Sequence, residues 1–245
     1  MRDFTEPRRL RPALIAAAVL MAALVSAALM LAGHRAATRS AEAPRVPHPA
    51  TEASPSPASP LSGPVTLVAG TKQTDGVSMG YPHTTLGAIS AASAYLGALA
   101  STLDPNYAAA IGRAVGDPAD ASLASDLSSS VVKLRAALQL PASGPLPAPV
   151  TFLTTPQMYQ LRAVDSDHAL VLLLASDTFT NAQGGSAQTV GVYPMRMHWS
   201  GGDWRIAGIG GTGQDYAPLS AAPGSAAAQS KGWQALLATP AGGTP

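Results

Sequence analysis

The sequence predicts an α+β protein in which one transmembrane helix and a Pro-rich stalk carry three helices packed on a curved antiparallel sheet. Three observations predict it: an uncharged apolar run from Ala13 to Gly33, a proline-crowded stretch from Ser40 to Pro64, and a change of apolar period from helical to alternating at Val150. The chain has 245 residues, 47% apolar, 5% aromatic and 12% charged, so its charged share is about half the ~25% usual in soluble domains. Fifteen basic and 14 acidic residues leave a formal charge of +1. That balance lacks the basic excess needed to track a phosphate backbone, and no direct nucleic-acid binding is expected. No Cys is present, which excludes disulfides, thiolate metal sites and thiol nucleophiles.

Taken in order, residues 1–12 form a head bearing Arg2, Arg8, Arg9 and Arg11, expected in the cytoplasm. Residues 13–33 carry Leu14, Ile15, Val19, Leu20, Leu24, Val25, Leu29 and Leu31 and no charge or proline. As a helix rising ~1.5 Å per residue they span about 30 Å, the thickness of a hydrocarbon core, and are expected to anchor the chain in the cell membrane as a single pass. A cleaved signal peptide is the alternative, because Val25-Ser26-Ala27 offers small residues at a cleavage position. Residues 34–64 contain seven prolines between Pro44 and Pro64 and are expected to be an extended linker. The domain at residues 65–223 is then placed outside the cytoplasm.

Within that domain, Tyr81-Pro82-His83-Thr84 precedes a helix capped by Thr84, with Leu86, Ile89, Leu96, Leu99 and Leu103 on one face. Asp104-Pro105 and Asp117-Pro118 each join an N-cap acid to a proline at the first helical position, so two more helices are expected to start there. Gly116 ends the shorter. The other, about Pro118 to Leu140, presents Leu123, Leu127, Val131, Leu134 and Leu138. After Val150, strands are expected over Tyr159–Val164, His168–Phe179, Val190–Trp199 and Asp203–Ile209, separated by short turns that make antiparallel neighbours. Residues 224–245 return to Ala, Gly and Pro, except that Trp233, Leu236 and Leu237 have the spacing of a short amphipathic helix, expected to dock on its own domain, with presentation to a partner as the alternative.

The hairpin Met197-His198-Trp199-Ser200-Gly201-Gly202-Asp203-Trp204-Arg205-Ile206 following three helices resembles the cone-shaped, nuclear-transport-factor-two-like domains. With an anchor and a stalk, the chain resembles single-pass inner-membrane scaffold components of type IV secretion and conjugation systems. Gly80-Tyr81-Pro82-His83-Thr84 before an Ala-rich helix is similar to uncharacterised membrane proteins of actinobacterial mobile elements. The resemblance implies a non-enzymatic interaction subunit whose partners are the membrane, other subunits of an envelope-spanning assembly and further copies of itself. A small ligand or peptide bound in the cavity of the cone is the alternative.

Tyr193, Trp199, Trp204 and Trp233 are the candidate interaction surface, since aromatic residues are enriched at interface hot spots; closing the domain's own core is the competing role. No catalytic residue, metal or cofactor is expected. Gly208-Ile209-Gly210-Gly211-Thr212-Gly213 satisfies a dinucleotide-binding pattern, but no helix follows to hold a pyrophosphate. His83, His168 and His198 show no metal-ligand spacing. Ser128-Ser129-Ser130 lies within a helix rather than a nucleophile elbow. The one acid in a strongly apolar run is Asp177, for which Tyr95, Tyr107 and Tyr159 are the conceivable oxyanion donors of an acid/base site.

Overall fold

A computed structural model describes residues 61–209 and 214–238. In chain order these form β1 (Val65–Thr66), β2 (Lys72–Thr74), β3 (Val77–Met79), α1 (Thr85–Ala100), α2 (Pro105–Val115), α3 (Leu123–Ala137), β4 (Thr151–Val164), β5 (His168–Thr180), β6 (Ser186–Ser200), β7 (Asp203–Ile209), a 3-10 turn (Ala217–Leu219), α4 (Ala226–Ser230) and β8 (Gln234–Leu237). The main sheet runs β1-β8-β4-β5-β6-β7, and β2 and β3 form a separate hairpin.

Local chemistry explains the helix starts. The Thr84 hydroxyl accepts from the Gly87 amide at 3.0 Å and begins α1, and the Asp104 carboxylate accepts from Asn106 and Tyr107 to begin α2. α1 is buried on most of its circumference and lies across the sheet. α2 meets α3 closely because Gly112 has no side chain: a Cβ there would stand 2.9 Å from the Ala124 Cα.

The strands β5 and β6 are apolar on both faces. Val171, Leu173, Ala175, Tyr193, Met195 and Met197 face the helices, while Leu172, Leu174 and Val192 face the opposite way and are covered by Tyr216, Ala228 and Trp233. The C-terminal segment is thus a strap over the outer face. The Trp233 indole also donates to the Leu219 carbonyl at 2.8 Å, and β8 then inserts between β1 and β4.

Several expectations are corrected. Among the described residues no helix is long and apolar enough to cross a membrane; the longest, α1, has 16 residues, about 24 Å of helix against the ~30 Å a bilayer core requires. The fold described is therefore α+β without a transmembrane helix, and the expected anchor at residues 13–33 and most of the linker lie outside the described residues. The sheet is mixed, because β1 and β8 pair in parallel. Residues Trp233–Leu237 are not helical; β8 instead pairs Gln234 and Ala235 with Tyr159 and Met158 of β4, so the folded unit continues past Pro223. α3 begins at Leu123, not Pro118, because Asp117 is held by residues of the sheet. β4 begins at Thr151 rather than Tyr159.

Truncating Trp233 removes the largest side chain of the strap. Trp233→Ala is expected to cost about 3–5 kcal/mol, read as a lower denaturation midpoint in urea.

Candidate functional site

Chemistry-bearing side chains gather at two places, a pole of the sheet and its interior. The pole forms where the loop before α1, the β4–β5 turn and the β6–β7 hairpin meet. Gly201 and Gly202 both have positive φ, 61° and 77°, as a two-residue turn matched to the strand twist demands. That turn places Asp203, fully buried, opposite the loop. Its carboxylate accepts from the amides of Gly80 at 2.7 Å, Tyr81 at 3.1 Å and Trp204 at 2.9 Å, and Lys72 approaches to 3.8 Å. The Trp204 indole donates to the Pro82 carbonyl at 3.0 Å, and the Tyr95 hydroxyl donates to the Trp204 carbonyl at 3.0 Å.

On this base sit three histidines. His83 stacks on Trp199 with ring centroids 4.1 Å apart, and its Nε2 lies 2.8 Å from the Ser166 carbonyl and 3.0 Å from Asp167. His168 stacks on His198 at 4.7 Å; His168 lies 3.2 Å from Asp165, and His198 bonds Asp117. Burial alone would raise the Asp117 pKa, but the Ala119 amide, the His198 bond and charge, and Arg205 together hold it below the usual carboxylate range. The amides of Asp167 and His168 pull the exposed Asp165 down as well. Among the described residues no group of three His, Cys, Asp or Glu is disposed to hold a metal.

The interior place is Asp177. Tyr193 donates to Asp177 Oδ2 at 2.6 Å, its ring running over Gly191, where a Cβ would stand 2.7 Å from that ring. The Thr154 hydroxyl lies 2.7 Å from Asp177 Oδ1 and 3.0 Å from the Ala100 carbonyl. A single hydroxyl proton faces two acceptors, so when Thr154 donates to Ala100 the carboxyl supplies the second proton. Burial raises the Asp177 pKa against the bonds from Tyr193 and Thr154, and burial followed by the Asp177 charge raises Tyr193.

Of the four residues expected at an interaction surface, Tyr193, Trp204 and Trp233 are buried in the two cores, and Trp199 is half-buried at the pole. None of the tyrosines considered for Asp177 reaches it. Tyr95 bonds Trp204, Tyr159 donates to the Gly63 carbonyl at 2.9 Å, and Tyr107 donates to the Asp75 carbonyl at 2.9 Å. Ser128, Ser129 and Ser130 lie on α3, and Gly210 to Gly213 lie outside the described residues. Sequence reasoning missed the convergence of the histidines and the partnership of Asp177 with Tyr193. The alternation of β6 was the available signal, since it puts Tyr193 on the same face as Gly191.

A family model described as a domain of unknown function, DUF8175, matches residues 30–227. No curated protein matches the chain significantly. Among solved structures, a Xanthomonas campestris chain named as a calcium/calmodulin dependent protein kinase II association domain aligns with TM-score 0.33 and 15% identity, covering 47% of this chain and 77% of that one. The intermembrane space region of the chloroplast protein ARC6 aligns with TM-score 0.32 and 14% identity, covering 52% and 94%. Likenesses so distant say nothing of what this chain does.

Two outcomes follow from these sites. Asp203→Ala strips the buried Gly80 and Tyr81 amides of their acceptor and is expected to cost about 2–5 kcal/mol, a drop of roughly 5–15 °C in Tm by calorimetry. Asp177 has a raised folded-state pKa, so its contribution to stability is present below the unfolded pKa and is lost as pH rises through the folded one. Asp177→Asn, which cannot ionise, is therefore expected to gain stability relative to the wild type between pH 4 and pH 8, measured as the Tm difference at each pH.

Proposed function

From a chain that belongs to DUF8175, a family whose name carries no activity, we propose a non-enzymatic interaction subunit that engages a protein partner through the pole of His83, Trp199 and His168. The observation that carries this reading is the contrast between interior and pole. The hydroxyls of Tyr95, Tyr159 and Tyr193 and the carboxyl of Asp177 are engaged within the chain itself, whereas His83, Asp165, Asp167 and His168 present their side chains to solvent over the buried base of Asp203 and Trp204. A stacked aromatic pair ringed by acid and imidazole groups offers an aromatic centre within a polar rim, the arrangement of protein interfaces. An envelope-spanning assembly of the secretion or conjugation kind is the proposed setting, and its support is the resemblance of a Pro-rich stalk joined to a domain with the Met197–Ile206 hairpin to scaffold components of such systems.

A second reading, a small ligand held in the interior, has one observation in its favour: Asp177 is a carboxyl beneath the end of α1 with a phenol and a hydroxyl as neighbours.

The two readings separate by photo-crosslinking of the full-length chain in its own cells. A crosslinking residue at position 168 is expected to give one recurrent protein adduct, absent when it stands at the exposed Ser143 and reduced about tenfold by His83→Ala with Trp199→Ala. No adduct from the pole, with thermal stabilisation by a small-molecule extract that Asp177→Asn abolishes, would instead establish the second reading.

A further inference from the structure

The strands β4, β5 and β6 run together beyond the rest of the sheet, and their two outer edges are treated differently. On β4, Thr154 turns its backbone away from β5, and the Ser101 hydroxyl meets it there, accepting from the Thr154 amide at 2.9 Å and donating to the Thr154 carbonyl at 3.3 Å. One side chain thus occupies that edge at Thr154 as a neighbouring strand would.

The same bonds set the phase of the whole ladder. Thr154 faces Asp177 as a pair that exchanges no backbone bonds, so Asp177 bonds across to Thr189. Alternation then turns the N–H and C=O groups of Ser186, Gln188 and Val190 outward. β7 pairs with β6 only from Met195 onward. Among the described residues no strand takes the edge from Ser186 to Val190, and Ser186 and Gln188 are exposed.

Open edges are ordinarily guarded by lysine, by other charges or by proline. From Ser186 to Tyr193 there is none. Ser, Ala, Gln, Thr and Val also provide no charge with which to select a foreign peptide, whereas the outward groups at Ser186, Gln188 and Val190 are symmetric about Gln188. We infer that this edge is an interface for a second copy of the chain, pairing antiparallel about a two-fold axis at Gln188. Gln188 then faces Gln188 of the other copy and Ser186 faces Val190, giving about six backbone hydrogen bonds. In this register the β5–β6 tip of the second copy, Asn181 to Gly185, ends opposite Gly191 to Tyr193, short of Met195, where Ile209 already occupies the edge. Because the two-fold pairing uses the same edge in both copies, the addition closes at two copies instead of propagating.

The inference rests on the reading of the domain as an interaction module and is tested apart from it on the full-length chain. Because the chain has no Cys, Gln188→Cys introduces a lone thiol at the proposed axis, and Leu153→Cys places one in the same cross-strand row on the β4 side. Oxidation is expected to link copies through position 188 and not through position 153. In sedimentation equilibrium, Val190→Pro, which removes an outward N–H, and Gln188→Lys, which opposes like charges across the axis, are each expected to weaken the dimer about tenfold or more while leaving Tm near the wild-type value. A wild-type chain that stays monomeric at about 100 μM, well above the dissociation constants of specific dimers, overturns the inference. So does a dimer that both variants leave unchanged, or a thiol at 188 that links to another polypeptide. Loss of the dimer with the adduct from position 168 retained overturns only this inference and leaves the proposed function standing.

Discussion

Everything else in the fold depends on the carboxylate of Asp203. It is the acceptor for backbone amides on both sides of the pole, and through Gly80 and Tyr81 it fixes where the chain turns into α1. α1 in turn is the element on which the inner face of the sheet is built. A buried carboxylate bonded to several N–H groups is among the stronger polar ties available in a protein, and here it joins segments 122 and 123 residues apart. Trp204 repeats the connection one residue later through Pro82, so the loop before α1 and the β6–β7 hairpin are tied together at two successive residues.

The features legible in the sequence were those whose chemistry is local. Thr84, Asp104-Pro105 and Gly201-Gly202 act on residues two or three positions away, and each stands where its signal placed it. Long-range claims defeated the same logic at Asp117. As a sequence it is as good an N-cap as Asp104, but its carboxylate goes to His198, its amide donates to the Ile206 carbonyl at 2.9 Å, and the helix starts later. The first half of β4 contains Pro156, and proline ordinarily argues against a strand. Two residues on from Thr154, its missing N–H points to the outer edge, and a register irregularity follows at once, so no ladder bond is lost. Trp233, Leu236 and Leu237 have the spacing of a helix, but the free edge of β4 at Met158 and Tyr159 offers backbone partners that outweigh it, and the segment is a strand.

The candidate site was less legible than the fold, for a reason of the same kind. The pole draws on residues 83, 117, 165 to 168 and 198 to 199, each unremarkable in its own neighbourhood, and only sheet register brings them together. Asp177 illustrates the limit from the other side. Its apolar surroundings marked it as unusual, but the side chain that completes it lies on the next strand, and reaches it only because position 191 is a glycine.

The place of β8 bears on how the protein is made. Among the described residues β1 has no partner in the sheet except β8, so Val65 and Thr66 pair with Leu236 and Leu237, across nearly the whole described unit. A chain emerging from the ribosome at roughly 5–20 residues per second therefore holds β1 without β8, and the outer face of β5 and β6 uncovered, until residues 214–237 have followed. Until then the apolar Leu172, Leu174 and Val192 lack the cover that Tyr216, Ala228 and Trp233 supply in the folded unit, and the order of synthesis makes the outer core the later of the two to form.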